Sequence, residues 1–254
     1  MKAVITGASS GIGREIAKYL DSLGYQTILV ARDKEKLEET RGFLKNKSKI
    51  VVMDLSDFHN LKSLYVLLKN EDIDVLINNA GYGVFGDFSS TDITKELGMI
   101  DVNITACQIL TKLFLKDMKK KDSGYILNVS SSASFYPGPL MAGYYASKAY
   151  VRSLTEAISY ELEKEGSKVK VSCLCPGPVD TNFNKRAGVD FSVKPLSADY
   201  VAKYAIDNML KGKTVIVPGF TMRCAKFFSR FLSSHFLMGF VYKIQKKKEK
   251  GVSS

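Results

Sequence analysis

Tryptophan is absent from the 254-residue sequence, histidine occurs twice and cysteine four times. Four scattered cysteines are too few for the disulfide framework of a secreted scaffold, so a reducing compartment and a cytoplasmic location are expected. His59 and His235 alone cannot supply a histidine-rich metal site or a histidine-based triad, and no metal is predicted. The sequence has no run of about 18 apolar residues, so no membrane-spanning helix is expected. Only three consecutive apolar residues precede Thr6, too few for the apolar region of a signal peptide.

Positive charge is concentrated at one end of the sequence. The net charge is +11, and the segment from Phe220 to Ser254 has eight Lys or Arg residues and one acid, Glu249, so that it carries +7. The first 219 residues therefore carry only +4. This balance excludes a basic nucleic-acid-binding module, and no nucleic-acid partner is expected.

Seven short apolar runs alternate with stretches whose apolar residues recur at helical spacing. The runs predict strands at residues 3–5, 27–30, 50–53, 75–77, 125–129, 169–174 and 214–217. Strands separated by helices form βαβ units, and continuous Val/Ile/Leu runs are typical of strands buried on both faces. The prediction is an α/β fold: a doubly wound, seven-stranded parallel sheet with helices on both faces. Residues 1–219 are expected to form one domain, and residues 220–254 its C-terminal amphipathic helical extension.

Glycine is frequent between the first predicted strand and the first predicted helix. Residues 6–13 have the sequence TGASSGIG. Glycines allow a tight turn and bring backbone N–H groups close to a pyrophosphate, which the dipole of the following helix also favours. The segment predicts the phosphate-binding loop of a Rossmann-like dinucleotide fold. Its expected contacts are Gly7, Ser9, Ser10, Gly11, Ile12 and Gly13.

A tyrosine and a lysine four residues apart indicate acid/base chemistry. Tyr144 and Lys148 begin a predicted helix and therefore share a face. A phenol has a reference pKa of about 10, and an adjacent ammonium lowers that pKa because it stabilises the phenolate. The pair predicts a proton donor and acceptor for a carbonyl/alcohol couple. Tyr145, three residues from Lys148, is an alternative that spacing alone leaves open.

Five motifs, in order, resemble those of the short-chain dehydrogenase/reductase family over residues 1 to about 218. They are the glycine-rich octet, Asp54-Leu55, Asn78-Asn79-Ala80-Gly81, Tyr144-x-x-x-Lys148 and the segment from Pro176 to Thr181. The resemblance implies that Asp54 binds the adenine amino group, that Asn79 and its two successors line the adenine ribose, and that the last motif holds the nicotinamide amide. Beyond the octet, the cofactor residues it implies are Asp54, Leu55, Asn79, Ala80, Gly81, Tyr144, Lys148, Pro176, Gly177, Val179 and Thr181.

The same resemblance implies the catalytic residues. It selects Tyr144 over Tyr145 as the acid/base, and its usual serine lies thirteen residues earlier, at Ser131. Ser130 and Ser132 remain alternatives because the three serines are consecutive. The family's helix asparagine, associated there with a water that links the lysine to solvent, corresponds to Asn103. The implied catalytic set is Asn103, Ser131, Tyr144 and Lys148.

The end of the second predicted strand indicates which nicotinamide cofactor is used. An acid at this point selects NAD, whereas a nearby arginine accommodates the 2′-phosphate of NADP. The acid's position corresponds to Ala31, and Arg32 follows it. Asp33 is one residue further and is expected to cap the next helix. NADP(H) is therefore favoured over NAD(H).

The expected function is hydride transfer between NADP(H) and a small ketone, aldehyde or alcohol. Phe183, Phe191 and Val193, in the segment after the last motif, indicate an apolar substrate. A non-catalytic dinucleotide sensor or scaffold is the main alternative. A sugar-nucleotide epimerase or dehydratase is a third, although those chains are usually longer and have another glycine spacing. The resemblance also implies a homo-oligomer, a dimer or tetramer, paired through helices at residues 93–119 and 144–164.

Apolar residues recur at helical spacing in the basic tail, between Phe227 and Ile244. Such a segment either lies on a membrane surface or packs on protein. Because Phe227 and Phe228 are adjacent, the apolar stripe is wide, which favours packing on protein. We expect the tail to complete the substrate pocket or a subunit contact, with weak peripheral membrane contact at most.

Overall fold

A parallel β-sheet forms the centre of the computed structural model, which describes residues 1–181, 195–229 and 231–250. The described strands are β1 (Lys2–Thr6), β2 (Gln26–Ala31), β3 (Ser48–Val52), β4 (Val75–Asn78), β5 (Tyr125–Val129), β6 (Lys170–Leu174) and β7 (Val215–Ile216). Their order across the sheet is β3-β2-β1-β4-β5-β6-β7, and every neighbouring pair is parallel. The predicted seven-stranded doubly wound sheet is confirmed.

Helices connect the strands, as the alternating pattern predicts. Within the described residues they are α1 (Gly11–Ser22), α2 (Lys34–Gly42), α3 (Phe58–Leu68), α4 (Ile93–Ile100), α5 (Cys107–Lys121), α6 (Ala142–Lys164), α7 (Ala198–Leu210), α8 (Phe220–Ser229) and α9 (Ser234–Lys250). Aspartates begin three of them: Asp33, Asp57 and Asp92 each accept a hydrogen bond from a backbone N–H of the first turn. The predicted capping role of Asp33 is thus confirmed.

Alternate residues of each strand point to opposite faces of the sheet, and both faces are buried. Ile5 and Leu29 belong to a cluster that includes residues of α1 and α7. Val4 and Val30 belong to a second cluster that includes residues of α3 and α5. Burial on both faces explains why the strand sequences are continuously apolar rather than alternating.

The order of the strands places one crevice at the centre of the sheet. The chain winds outward from β1 to β3 in one direction and from β4 to β7 in the other. In such sheets, ligands bind beyond the carboxyl ends of the strands where the winding direction changes. The predicted motifs follow β1, β3, β4, β5 and β6, so all of them lie at this edge.

The long helix predicted at residues 93–119 consists of three parts. A π-helical segment, Asp101–Ala106, separates α4 from α5. Among the described residues, one helical run, Ile93–Lys121, is long and apolar enough by length and composition to cross a membrane. Leu110, Phe114 and Met118 of this run are buried in the second core cluster. The composition of this run alone therefore does not exclude a spanning helix, whereas the packing of these three residues is typical of a helix in a protein core.

The tail is helical, and most of its aromatic side chains are exposed in the single chain. Val241 and Gln245 of α9 are buried, whereas Phe227, Phe228 and Phe240 are more than half exposed. These rings do not pack on the domain of their own chain, and the subunit contact expected for the tail stays a prediction. The reason is geometric: only one side of each tail helix faces the domain.

Candidate active site

The loop between β1 and α1 places the predicted phosphate cradle at the carboxyl end of β1. Gly7 and Gly11 have φ angles of 65° and 57°, a left-handed conformation that other residues rarely adopt. Ser10 is the N-cap residue of α1, and its side chain makes no capping hydrogen bond. Ile12 and Gly13 follow in the first turn. The loop therefore presents a helix N-terminus at the centre of the crevice, as an anion site requires.

Thr6 and Asn79 hold this loop against the end of β4. The Thr6 hydroxyl donates to the Ile77 carbonyl at 3.2 Å and accepts from the backbone N–H groups of Asn79 and Ala80 at 2.9 and 3.0 Å. The Asn79 amide donates to the carbonyls of Thr6 and Gly7 at 3.0 and 3.2 Å. The Asn79 side chain thus stabilises the loop itself, in addition to the ribose contact that the resemblance implies.

Arg14 and Thr40, which sequence analysis did not identify, support the loop from the other side. Arg14 donates to the Ser9 carbonyl at 2.8 Å, to the Thr40 hydroxyl at 3.1 Å and to Glu39 at 2.9 Å. The Thr40 hydroxyl donates to the Ala8 carbonyl at 3.0 Å. The position of Arg14 directly after the glycine motif is the only sequence signal for this contact, because Thr40 is 26 residues away.

Arg32 and Asp54 line a cavity of about 320 Å³ at the carboxyl ends of β2 and β3, together with Val52, Met53 and Asn60. Arg32 Nη1 lies 3.5 Å from Asp54 Oδ2, and both side chains are substantially exposed. Such a pair contributes little stability, so the guanidinium is free to move to a ligand. The structure therefore places the predicted adenosine residues in one cavity.

Asp54 also stabilises the turn that follows β3. Its Oδ1 accepts hydrogen bonds from the backbone N–H and the hydroxyl of Ser56, at 3.0 and 2.8 Å. Burial raises the pKa of Asp54, but these hydrogen bonds and the Arg32 charge outweigh burial, so the pKa lies below its usual value. Asp54 is thus a carboxylate with one oxygen in the turn and the other beside Arg32. Leu55, the next predicted residue, is buried.

Tyr144, Lys148 and Ser131 meet at the carboxyl end of β5. Lys148 Nζ lies 5.8 Å from the centroid of the Tyr144 ring, one helical turn away on α6. A side-chain hydrogen bond joins Tyr144 and Ser131. Lys148 Nζ donates to the carbonyl of Val129, the last residue of β5, at 3.0 Å. Tyr144 and Lys148 are only 8% and 5% exposed, so the two groups lie in a site that is largely closed to water.

The three consecutive serines have different partners. The Ser130 hydroxyl is buried and donates to the Lys148 carbonyl at 2.7 Å, which anchors α6 to β5. Ser131 accepts from the Ala133 backbone N–H at 3.1 Å in addition to its bond with Tyr144. Ser132 begins a short 3₁₀-helix, and its N–H donates to the Pro176 carbonyl. The geometry therefore brings Ser131 to Tyr144 and gives Ser130 a structural partner.

The pKa of Tyr144 differs from the sequence-based expectation. Burial raises it to about 12, and the hydrogen bond with Ser131 opposes this increase only in part. Burial also lowers the pKa of Lys148. The predicted lowering of the Tyr144 pKa by Lys148 is therefore wrong for the protein without ligands, because removing the phenolate from water costs more than its neighbours restore.

Asn103 lies in the π-helical segment and fixes the strand-end loop that follows β4. Its Oδ1 accepts from the Tyr82 N–H at 3.1 Å, and its Nδ2 donates to the Tyr82 carbonyl at 2.9 Å and to Ser147 Oγ at 3.0 Å. A Cβ atom on Gly81 would lie 2.8 Å from Asn103 Oδ1 and 3.2 Å from Lys148 Nζ. Only glycine therefore permits this close approach of the asparagine and the lysine.

Tyr145, the alternative acid/base, has a different environment. Its hydroxyl accepts a hydrogen bond from Gln245 Nε2 of α9 at 3.1 Å, and its ring centroid lies 6.1 Å from that of Tyr136. Gln245 is buried, and its Oε1 has no hydrogen-bond partner among the described residues. The tail thus reaches the residue beside the candidate acid/base, a contact that no local sequence pattern indicates.

An apolar cluster surrounds the Tyr144 side chain. Its buried members besides Tyr144 are Met99, Ala133 and Met141, and its partly buried members are Tyr82, Val84, Phe85 and Tyr145. These residues come from α4, the β4–α4 and β5–α6 connections and α6. Sequence analysis did not identify them, because they are far apart in the chain.

The last motif runs beside the glycine loop. A Cβ atom on Gly11 would lie 3.1 Å from the Thr181 methyl, and one on Gly177 would meet Met222 of α8 at 2.7 Å. Val179 is buried and forms a β-bridge with Leu196, and the Pro176 carbonyl accepts from Ser132. The predicted substrate residues Phe183, Phe191 and Val193 lie outside the described residues.

Sequence comparison identifies relatives over most of this chain. The family model described as short chain dehydrogenase matches residues 1–190. An uncharacterized oxidoreductase of Staphylococcus epidermidis is 33% identical over 224 residues, which cover 87% of this chain and 96% of that protein. A very-long-chain 3-oxoacyl-CoA reductase of Anas platyrhynchos is 34% identical over 209 residues, which cover 78% of this chain and 66% of the reductase.

Solved structures with a similar fold have also been identified. A short-chain dehydrogenase from Sphingobium yanoikuyae in complex with NADPH has a TM-score of 0.81 and 27% identity, over 90% of this chain and 92% of that one. A short chain dehydrogenase/reductase from Burkholderia phymatum in complex with NAD has a TM-score of 0.80 and 26% identity, over 89% of this chain and 91% of that one. The chain belongs to the short-chain dehydrogenase/reductase family of oxidoreductases.

Proposed function

We propose that the protein is an NADP(H)-dependent oxidoreductase that reduces an apolar ketone or aldehyde, with Tyr144 as the proton donor. The observation that supports this most directly is the buried group of Tyr144, Ser131 and Lys148 at the edge of the sheet where the glycine loop also lies. A structural tyrosine would need neither the hydroxyl partner nor the buried ammonium one turn away.

The residues of the crevice fit a dinucleotide. The left-handed glycines leave a cradle in which a Cβ at position 11 would crowd Thr181, and the Arg32–Asp54 cavity lies at the ends of β2 and β3, on the β2 side of β1. The N-terminus of α1 would hold the pyrophosphate, and Arg32 and Asp54 would hold the adenosine. The bound cofactor supplies hydride chemistry, and the protein supplies position and protons.

Tyr144 and Ser131 act on the substrate oxygen. With a pKa raised to about 12, the phenol is protonated near neutral pH and can donate its proton to the oxygen of a carbonyl that is being reduced. Ser131 donates a second hydrogen bond to the same oxygen as negative charge develops there. The hydrogen bond between the two hydroxyls in the ligand-free protein places both within reach of one atom.

Lys148 and Asn103 support these two residues. The buried ammonium of Lys148 favours the phenolate that remains after Tyr144 has given up its proton. We assign Asn103 a positioning role, because it holds the Tyr82 backbone beside Gly81 and thereby keeps the Lys148 pocket open.

Arg32 supports the choice of NADP. β2 ends at Ala31, where a carboxylate would accept from a 2′-hydroxyl, and the Arg32 side chain is 67% exposed at the mouth of the adenosine cavity. A guanidinium makes a charge-assisted, forked pair with a phosphate, which is stronger than its exposed pair with Asp54.

The cluster around Tyr144 supports an apolar substrate. Met99, Met141 and Phe85 offer carbon surface and flexible sulfur-containing side chains, which adapt to bulky aliphatic groups. The relative named as a very-long-chain 3-oxoacyl-CoA reductase makes long-chain 3-oxoacyl thioesters a reasoned first choice for a substrate panel, followed by bulky aliphatic ketones.

The test is NADPH oxidation with this panel, using the full chain and the Tyr144→Phe variant. We expect turnover with at least one carbonyl compound and a loss of roughly a hundredfold or more in kcat for Tyr144→Phe, because general acid catalysis contributes that much. NADPH binding, measured by fluorescence, should be nearly unchanged.

Tyr145→Phe is the matched control, since it removes a hydroxyl from the neighbouring residue of the same helix. An inactive Tyr145→Phe beside an active Tyr144→Phe would show that the acid/base is assigned wrongly. Tight NADPH binding without turnover across the whole panel would instead support a non-catalytic sensor.

A further inference from the structure

The tail exposes a group of phenylalanine rings on its two helices and at Phe231 between them. Phe227, Phe228, Phe231, Phe236 and Phe240, here called the aromatic patch, are 56–73% exposed. The Phe227 ring centroid lies 5.5 Å from that of Phe228 and 5.4 Å from that of Phe231, so three of the rings form one cluster. A contiguous exposed apolar surface such as this three-ring cluster marks an interaction site.

The aromatic patch does not contact the domain. Other residues of α8 and α9 make that contact. Met222 of α8 contacts Gly177 and packs with the buried Val217, and Lys226 lies 5.1 Å from the Phe135 ring. Val241 and Gln245, four residues apart on α9, are buried against the domain.

The aromatic residues of α9 occupy its opposite side. Phe236 and Phe240 are four residues apart, and Lys243 follows three residues later, so the three share one exposed face. The outer face of α9 therefore presents two aromatic rings together with a lysine. The inner face, with Val241 and Gln245, holds the helix on the domain.

Charge indicates what covers the patch. The segment from Phe220 to Ser254 carries +7, and no acid occurs in it before Glu249. Arg223, Lys226 and Arg230 flank the first three rings in the sequence, and Lys243 and the lysines from Lys246 onward follow the last. Aromatic rings that lie beside basic residues match the boundary between acyl chains and anionic headgroups.

A second copy of the chain is a poorer match for this surface. Pairing two patches about a two-fold axis would bring together two segments of +7 each, and like charges across an interface are unfavourable. An anionic bilayer has the complementary charge and accepts the rings without a matching pocket.

We infer that the aromatic patch docks the protein on the surface of an anionic membrane, with the rings below the headgroups and the lysines at headgroup level. This docking is independent of the reaction proposed above. Gln245 of α9 contacts Tyr145, so docking through this helix would also hold the candidate active site close to the bilayer.

The test is co-sedimentation of the full-length protein with vesicles of phosphatidylglycerol and phosphatidylcholine in equal parts, and with vesicles of phosphatidylcholine alone. We expect binding to the first and little to the second. Raising the salt from about 0.1 M to about 1 M should weaken binding, since the Debye length falls from about 10 Å to about 3 Å.

Two variants identify the surface. Phe227→Ser combined with Phe228→Ser should reduce binding at least tenfold, because each buried aromatic ring contributes apolar area to insertion. Lys243→Gln combined with Lys247→Gln and Lys248→Gln should reduce it on the order of a hundredfold, at roughly fivefold for each lysine near the membrane.

Phe88→Ser combined with Ile93→Ser is the matched control. These two side chains are 66% and 64% exposed but lie beside Asp87 and Asp92, so their removal should leave vesicle binding unchanged. Equal binding to both kinds of vesicle, no binding to either, or a loss in the control equal to that in the patch variant would overturn the inference. So would a fall in molar mass in the patch variant without vesicle binding by the parent, which would assign the patch to a second copy.

Discussion

Ser131 and Tyr144, thirteen residues apart in the sequence, are joined by a hydrogen bond between their side chains in the closed interior of the site. This bond distinguishes Ser131 from its two neighbours, Ser130 and Ser132. Ser130 points into the core and holds the Lys148 carbonyl, while Ser132 belongs to the 3₁₀-turn that contacts Pro176.

Ser131→Ala should reduce kcat by roughly a hundredfold to a thousandfold with little change in NADPH affinity, because it removes a donor to the developing oxyanion. Ser132→Ala is the control and should stay within about tenfold of the parent. Steady-state kinetics with the best substrate of the panel measure both. A greater loss in Ser132→Ala would assign the donor to the neighbouring position.

Arg32→Ala should weaken NADPH binding by about tenfold to a hundredfold, the equivalent of one or two hydrogen bonds to a charged group, and leave NADH binding nearly unchanged. Lys34→Ala removes a nearby exposed charge without the forked geometry and should have a much smaller effect. Fluorescence titration of both cofactors gives the four affinities. Equal affinity of the parent for NADPH and NADH would contradict the proposed role of Arg32.

Stability of the ligand-free protein should fall as pH rises from about 10 to about 12. Burial raises the Tyr144 pKa from 10.0 to about 12. A group whose pKa is raised in the folded state stabilises that state fully below its unfolded pKa and ceases to do so as pH passes the folded pKa. The shift corresponds to roughly 2 to 3 kcal/mol at most.

Thermal unfolding of the parent and of Tyr144→Phe over this pH range isolates the effect. The parent should lose more stability than the variant between pH 10 and 12. Tyr160→Phe, which removes the hydroxyl of an exposed tyrosine, should behave like the parent. Identical pH profiles for the parent and Tyr144→Phe would mean that the phenol is not buried as described.

Light scattering at micromolar concentration should show a dimer or tetramer paired through α5 and α6. Tyr160 of α6 is 59% exposed, and Tyr160→Asp should shift the protein toward the monomer because it places a charge in an apolar contact. Phe58→Asp, which changes a 47% exposed aromatic residue on α3, is the control and should leave the molar mass unchanged. A monomeric parent would contradict the expected assembly.

Local spacing in the sequence was sufficient to predict the sheet and the position of its ligand crevice. Continuous apolar runs such as Val75–Leu76–Ile77 predict strands that are buried on both faces, because the side chains on each face must avoid water. Local spacing also identifies the glycine loop and the helix face shared by Tyr144 and Lys148, because both depend on residues at most a few positions apart. It leaves Tyr145 open, and the family resemblance selects Tyr144.

Contacts between distant residues could not be predicted this way, because they depend on how strand ends and helices meet. The bonds from Asn79 to the glycine loop, from Arg14 to Thr40 and from Gln245 to Tyr145 cross 72, 26 and 100 residues. The raised pKa of Tyr144 is also a tertiary property, since it depends on burial and not on its neighbour at the fourth position.

In the tail, the properties set by the sequence differ from those set by the tertiary structure. Its amino-acid sequence determined that the segment is helical, basic and apolar on a wide stripe, because these properties follow from composition and spacing. Only the tertiary structure decided which part of the stripe is used by the domain. Val241 and Gln245 face inward and the phenylalanines outward, because the helix can present only one side to the surface on which it packs.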